Sequence, residues 1–118
     1  MAMVLQKKLR NLRVAASALL ETWRSEVSFR IQVVASLLLS FAALYEGITR
    51  LEWALLTLAL SGVLTVEIIN TALERASDAF GRTDAQIGLI KDLGAAAAGI
   101  VGVGAILVVC LIFFPHFL

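Results

Sequence analysis

Residues 53–78 read WALLTLALSGVLTVEIINTALERASD, and this stretch decides the fold. Residues 53–66 carry no charge, and polar side chains then follow at steps of three and four: Glu67, Asn70, Glu74 and Asp78. At about 100° per residue, a helix places these four within an arc of roughly 80° on one face. A carboxylate at the bilayer centre costs about 2.5–3.5 kcal/mol on insertion scales. An acidic stripe that begins inside an apolar helix therefore indicates a functional site.

The composition indicates an integral membrane protein. Of the 118 residues, 60% are hydrophobic, and the mean hydropathy is +0.92. A soluble domain is usually about 45–50% apolar. The length leaves room for a single domain, residues 1–118, and no nucleic-acid partner is expected.

The spacing of apolar residues predicts an all-α fold with an N-terminal amphipathic surface helix and three transmembrane helices. In residues 3–24, apolar side chains recur at steps of three and four, and most of the basic ones lie off that line. Long apolar runs predict transmembrane helices over residues 29–47, 53–80 and 91–114. Residues 81–88, with glycine at both ends, are expected to form a polar loop, and Pro115 is expected to end the last helix.

The distribution of charge predicts the orientation in the membrane. Residues 1–30 contain six Lys and Arg against two Glu, a balance of +4 beside the first apolar run. The positive-inside rule then places the N-terminus in the cytoplasm. A bundle of three helices has little buried interior to shield carboxylates from lipid. We therefore expect an oligomer in which neighbouring subunits cover the acidic stripe.

This topology brings four carboxylates to the cytoplasmic end of the bundle: Glu26, Glu67, Glu74 and Asp92. Carboxylates suit Mg²⁺, which commonly takes one or two of them together with substrate phosphates. Asn70 lies one turn from two of these acids, and Lys91 is available to phosphate oxygens. Together they indicate phosphoryl transfer from ATP to a hydroxyl in the bilayer. The chain contains no Gly-rich GK[ST] loop, so a P-loop kinase is excluded.

Simpler interpretations exist for most of these residues. A charged side chain here can be a solvated helix end, the partner of a nearby arginine, or the start of a helix. Glu67 differs, because its depth in the apolar span does not suit an exposed position. A non-enzymatic alternative is a helical oligomer that conducts protons or cations past Glu67, although residues 53–66 offer no polar route.

Three segments carry a longer pattern. Residues 66–74 (VEIINTALE) with Asp78, residues 91–97 (KDLGAAA) and residues 26–30 (EVSFR) stand in this order around the spans. They resemble the prokaryotic diacylglycerol kinase family, whose signature is approximately E-x-x-N-[ST]-A-[IL]-E-x-x-x-D, then K-D-x-[GA]-[SA]-A, preceded by E-x-x-F-R. The 81–88 segment departs from the family, because Thr83, Asp84 and Gln86 stand where members often have a histidine.

The resemblance implies a homotrimeric bundle with active sites shared between subunits, and ATP used with Mg²⁺. It implies that Glu67 is the catalytic base and that Glu26 and Glu74 are the Mg²⁺ ligands. The ATP-binding residues that it implies are Glu26, Asn70, Glu74, Lys91, Asp92 and Arg10. The lipid-binding residues that it implies are Glu67, Arg30, Trp23 and Ala95.

Two lipid acceptors divide this family, and the sequence has features of both branches. Phe29-Arg30 and the KDLGAAA segment favour diacylglycerol, which would give phosphatidic acid. Glu52-Trp53, Thr71 and Ile31-Gln32 favour undecaprenol, which would give undecaprenyl phosphate. We expect diacylglycerol, with undecaprenol as the alternative. A member that has lost activity and serves in assembly is disfavoured, because every carboxylate of the motif is present.

Overall fold

The computed structural model describes residues 1–81 and 85–117. It has four helices, α1 Ala2–Ser25, α2 Val27–Glu46, α3 Arg50–Phe80 and α4 Ala85–Phe117, and no strand within the described ranges. Helices α2, α3 and α4 are each long and apolar enough to cross a membrane. The predicted all-helical membrane fold is therefore confirmed.

Local sequence signals set the turn between α2 and α3. Gly47 ends α2 with φ 66°, a left-handed conformation that glycine adopts without steric strain. Thr49 begins α3 with a capping box. Its side chain accepts a hydrogen bond from the Glu52 backbone N–H at 3.1 Å, and the Glu52 carboxylate accepts one from the Thr49 N–H at 2.9 Å. Because of this cap α3 begins at Arg50, three residues before the predicted start.

Two predictions about α4 are wrong. The helix begins at Ala85 rather than at residue 91, so Gln86 is helical and not part of a loop, while Thr83 and Asp84 lie outside the described residues. Ala and Gln favour helix strongly enough to extend α4 backwards through this polar segment. Pro115 lies inside α4, which continues to Phe117. Proline removes one backbone hydrogen bond, and so near the helix end the loss is confined to the final turn.

Helices α3 and α4 form the most extensive contact in the fold. They are antiparallel, because Lys91 pairs with Asp78 at one end and His116 lies against Glu52 at the other. Helix α2 contacts α3 over a much smaller area. The buried apolar cluster lies at the Gly47 end of the bundle and consists of Ala43, Ile48, Leu56, Ile112 and Phe113. The opposite end, where α1 joins α2, is held by polar contacts.

Helix α1 stands apart from this bundle. Residues 1–21 are all exposed, including the leucines of its apolar stripe. The chain leaves the helix at Glu26, whose extended backbone (φ −114°, ψ 109°) makes an elbow before α2. An exposed apolar stripe opposite basic residues is typical of a helix that lies on a membrane surface. The helix extends the predicted 3–24 by one residue at each end, and its place on the membrane stays a prediction.

Candidate active site

Glu67 is half-buried on α3 and has a partner on α2. The Gln32 Nε2 donates a hydrogen bond to the Glu67 Oε2 at 3.3 Å. The other amide atom, Gln32 Oε1, is buried and accepts no hydrogen bond within the described residues. Gln32 also lines an apolar cavity of about 310 Å³ formed by α2, α3 and α4. The carboxylate predicted as the base thus lies next to a space that suits a hydrocarbon chain.

Asn70, one turn further along α3, is in contact with both Glu74 and α4. Its Nδ2 donates a hydrogen bond to the Glu74 Oε1 at 3.3 Å, and Asn70 is only 9% exposed to solvent. Its Oδ1 is buried and has no hydrogen-bond partner in the described part of the chain. A Cβ on Gly94 would lie 2.5 Å from this Oδ1, so the absence of a side chain at Gly94 lets α4 approach Asn70.

Arg75 connects α3 to the elbow between α1 and α2. Its Nη1 donates to the Glu21 Oε2 at 2.8 Å, and its Nη2 donates to the Ser25 Oγ at 2.7 Å and to the Glu26 Oε1 at 3.3 Å. Because Arg75 follows Glu74 directly in the chain, these contacts bring Glu26 to the same end of the bundle as Glu74.

The carboxylates at this end suit a metal ion that arrives with its own oxygen ligands. Within residues 1–81 and 85–117, no group of three or more His, Cys, Asp or Glu side chains is placed to hold a metal. Glu26 and Glu74 are partly exposed and supply hard oxygen donors. Mg²⁺ commonly uses one or two carboxylates and completes its shell with phosphate and water. The two glutamates therefore fit Mg²⁺ carried by a nucleotide better than a cage made of protein ligands alone.

The predicted site residues of α4 differ in burial. Lys91 is half-buried, and its Nζ lies 3.1 Å from the Asp78 Oδ1, so Asp78 holds the lysine at the site end. Asp92 and Ala95 are exposed, and the structure gives Asp92 no hydrogen bond or ion pair within the described ranges.

Three predicted site residues lie in the N-terminal region, two of them beside a second hollow and one far along α1. Trp23 and Arg30 line a hollow of about 540 Å³ along α1 and α2, whose other walls are apolar. Arg10 precedes Glu26 by 16 residues on the exposed helix α1, a distance of about 24 Å along the axis. The structure therefore does not bring Arg10 to the carboxylates of its own chain, because a continuous helix separates them.

Two contacts of the site could not be predicted from the sequence, that of Gln32 and that of Arg75. Gln32 was considered only as a marker of lipid preference, yet it bonds to Glu67, 35 residues away. Arg75 contacts residues 49 to 54 positions earlier in the chain. Neither contact has a local signal, because periodicity reports which side of a helix is apolar and not which helix lies opposite.

The fold and the site define an integral membrane protein with a cluster of carboxylates, an amide and a lysine at one end of a helical bundle. Residues 13–113 match the model of the prokaryotic diacylglycerol kinase family. Diacylglycerol kinase of Escherichia coli (strain K12) is 32% identical over 96 residues, which cover 80% of this chain and 79% of the relative. Undecaprenol kinase of Bacillus subtilis (strain 168) is 31% identical over 104 residues, 86% of this chain and 83% of the relative.

The chain belongs to the prokaryotic diacylglycerol kinase family. It is a lipid kinase, a phosphotransferase that acts on an alcohol group. The resemblance carried by the 66–78 and 91–97 motifs is thereby confirmed, and both motifs lie inside the matched range. Family membership favours the kinase hypothesis over the ion-conducting oligomer.

Proposed function

We propose that this protein transfers the γ-phosphate of MgATP to the hydroxyl of diacylglycerol and so makes phosphatidic acid. The observation that carries the proposal is the position of Glu67. It is half-buried on an apolar helix, bonded to Gln32, and that glutamine lines an apolar cavity. A lipid that enters from the bilayer can therefore present a hydroxyl to Glu67 while its chains stay in an apolar environment.

Glu26 and Glu74 are the proposed Mg²⁺ ligands, and the metal neutralises charge on the phosphates when it is bound. Asn70 holds the Glu74 carboxylate in place through its Nδ2. Lys91 is at the same end and offers a cation to phosphate oxygens. ATP then approaches from the cytoplasmic side, which is the side that the basic N-terminal region predicts for this end of the bundle.

The proposed reaction uses one protein group as the base. Glu67 removes the proton from the lipid hydroxyl as the oxygen forms a bond to the γ-phosphorus. The bond between that phosphorus and the β-phosphate oxygen breaks, and ADP leaves with the bonding electrons. Glu67 then releases its proton to water. Gln32 keeps one carboxylate oxygen occupied, so that the other oxygen is available to the hydroxyl.

Undecaprenol is the second candidate acceptor. The diacylglycerol kinase and undecaprenol kinase relatives are 32% and 31% identical, so identity does not separate them. The apolar cavity beside Gln32 would accept either an acyl or an isoprenoid chain. A side-by-side assay with the two lipids in detergent micelles, with labelled ATP and Mg²⁺, decides between them, and faster turnover of undecaprenol would overturn our choice.

We further propose that the active unit is a homotrimer with an N-terminus in the cytoplasm. A single chain leaves Glu67 partly exposed at a depth where lipid would surround it, and it leaves Arg10 far from the carboxylates. In a trimer, a neighbouring subunit can cover Glu67 and can bring its own Arg10 to the carboxylates. Mass measurement in detergent tests the trimer. Mixed oligomers of a Glu67→Gln chain and an Arg10→Ala chain test sharing, because shared sites would restore part of the activity.

Substitution of the proposed base tests the mechanism directly. Glu67→Gln removes the base and retains the shape and the contact to Gln32, so kcat should fall by about a hundredfold or more. Glu46→Gln, the same change at the C-terminal end of α2, is the matched control and should leave turnover unchanged. Ordinary turnover in the Glu67→Gln variant would refute the assignment.

A further inference from the structure

Arg75 occupies an unusual position for a cation, since it lies directly beside the proposed metal ligands. It follows Glu74 in the chain, and its Nη2 donates to the Glu26 Oε1 at 3.3 Å. A guanidinium at this distance repels a free divalent cation that approaches the same carboxylate. It attracts the phosphates of a nucleotide for the same reason.

The other contacts of Arg75 are shorter and hold it in place. The Nη1 to Glu21 Oε2 distance is 2.8 Å, and the Nη2 to Ser25 Oγ distance is 2.7 Å. Ser25 Oγ is itself anchored, because it donates to the Glu21 carbonyl oxygen at 2.9 Å. Glu26 can therefore leave Arg75 without releasing the arginine from α1.

We propose that Arg75 is a positioning residue that makes metal binding at Glu26 depend on the nucleotide. Without nucleotide, Arg75 shares the Glu26 carboxylate and disfavours a metal ion alone. When MgATP arrives, Glu26 turns to the metal, and the charge of Arg75 is balanced by the triphosphate. The proposal rests on the proposed function, since it requires Glu26 to be a metal ligand.

The electrostatic size of the effect follows from the charges. A unit charge and a divalent ion about 8 Å apart in a water-like medium interact enough to change a dissociation constant by about fivefold. Arg75 and Glu21 have side chains 48% and 58% exposed, so a water-like medium is the appropriate choice. Removal of the Arg75 charge should thus tighten metal binding to the nucleotide-free protein and weaken binding of MgATP, each by about fivefold.

The experiment measures metal and nucleotide separately on the full-length protein in detergent. Mn²⁺ serves as the probe, and its binding without nucleotide is followed by electron paramagnetic resonance. The KM for MgATP is measured in the kinase assay. Arg75→Gln should bind Mn²⁺ about fivefold more tightly and have a KM for MgATP about fivefold higher. Arg75→Lys retains the charge, so its Mn²⁺ affinity should stay close to that of the unsubstituted protein.

Arg24→Gln is the matched control, because it removes the same charge on α1 near the elbow, and within residues 1–81 and 85–117 Arg24 has no hydrogen bond or ion pair. It should change each quantity less than Arg75→Gln does. If Arg75→Gln weakened the binding of both Mn²⁺ and MgATP, or strengthened both, the result would indicate a packing role and overturn the proposal. The proposal would also be overturned if neither quantity changed. Glu26→Gln separates the two failures. If Glu26→Gln bound Mn²⁺ as tightly as the unsubstituted protein, Glu26 would be refuted as a ligand. If Glu26→Gln bound Mn²⁺ more weakly while Arg75→Gln left both quantities unchanged, only the coupling would be refuted.

Discussion

Gly94→Ala should damage both the stability and the activity of this kinase. The added Cβ would lie 2.5 Å from the Asn70 Oδ1 and 3.3 Å from the Leu73 Cδ1, where ordinary contacts begin at 3.4 Å. The Asn70 carboxamide must therefore move by about 0.9 Å, the difference between 3.4 and 2.5 Å. Overpacking of this kind costs about 1–3 kcal/mol, and alanine regains about 1 kcal/mol over glycine in a helix. The expected net loss in the free energy of unfolding is about 1 kcal/mol.

The effect on activity should be larger than the effect on stability, because the same movement breaks the hydrogen bond between Asn70 and Glu74. A displacement of about 1 Å near a reacting group reduces rate by up to about a hundredfold, so we expect kcat/KM for MgATP to fall by ten- to a hundredfold. The assays are unfolding in denaturing detergent and initial rates with labelled ATP.

Gly104→Ala is the control for this substitution, because a Cβ there meets no atom within 4 Å. It should keep normal activity and equal or higher stability. If Gly94→Ala matched that control in both measurements, the reasoning about a close approach between α3 and α4 would be wrong.

Three further changes test other contacts. Gln32→Leu removes a hydrogen bond to the Glu67 carboxylate, and such a bond is worth about 1.5–3 kcal/mol. The kcat should therefore fall about tenfold or more, while the KM for MgATP stays the same. An unaltered kcat would contradict a role of Gln32 in holding Glu67. Asp78→Asn should raise the KM for MgATP through Lys91, and the effect should disappear in a Lys91→Met background; additive effects would show that the two residues act independently. Thr49→Ala removes the α3 cap and should lower the free energy of unfolding by about 1 kcal/mol with normal initial rates at 25 °C, and loss of rate without loss of stability would count against a purely structural cap.

The sequence was sufficient to predict the helices and the family. Apolar runs and the steps of three and four along residues 67–78 depend on the chain's own periodicity, so they predict spans and a polar face without knowledge of neighbours. Boundaries were less predictable. The T-x-x-E pattern at 49–52 is a capping box that the sequence itself contains, whereas the helical start at Ala85 depends on a balance of weak propensities.

Tertiary structure alone decided which partners Glu67 and Arg75 have. Glu67 faces Gln32 because α2 lies against that side of α3, and Arg75 meets Glu21, Ser25 and Glu26 because the elbow at Glu26 turns the chain there. Gly94 matters because α4 comes close to Asn70, and only the distance between the two helices establishes this. The physical reason is the same in each case. A helix fixes the direction of its own side chains through local backbone geometry, whereas contacts between helices depend on packing across 13 to 64 residues of chain.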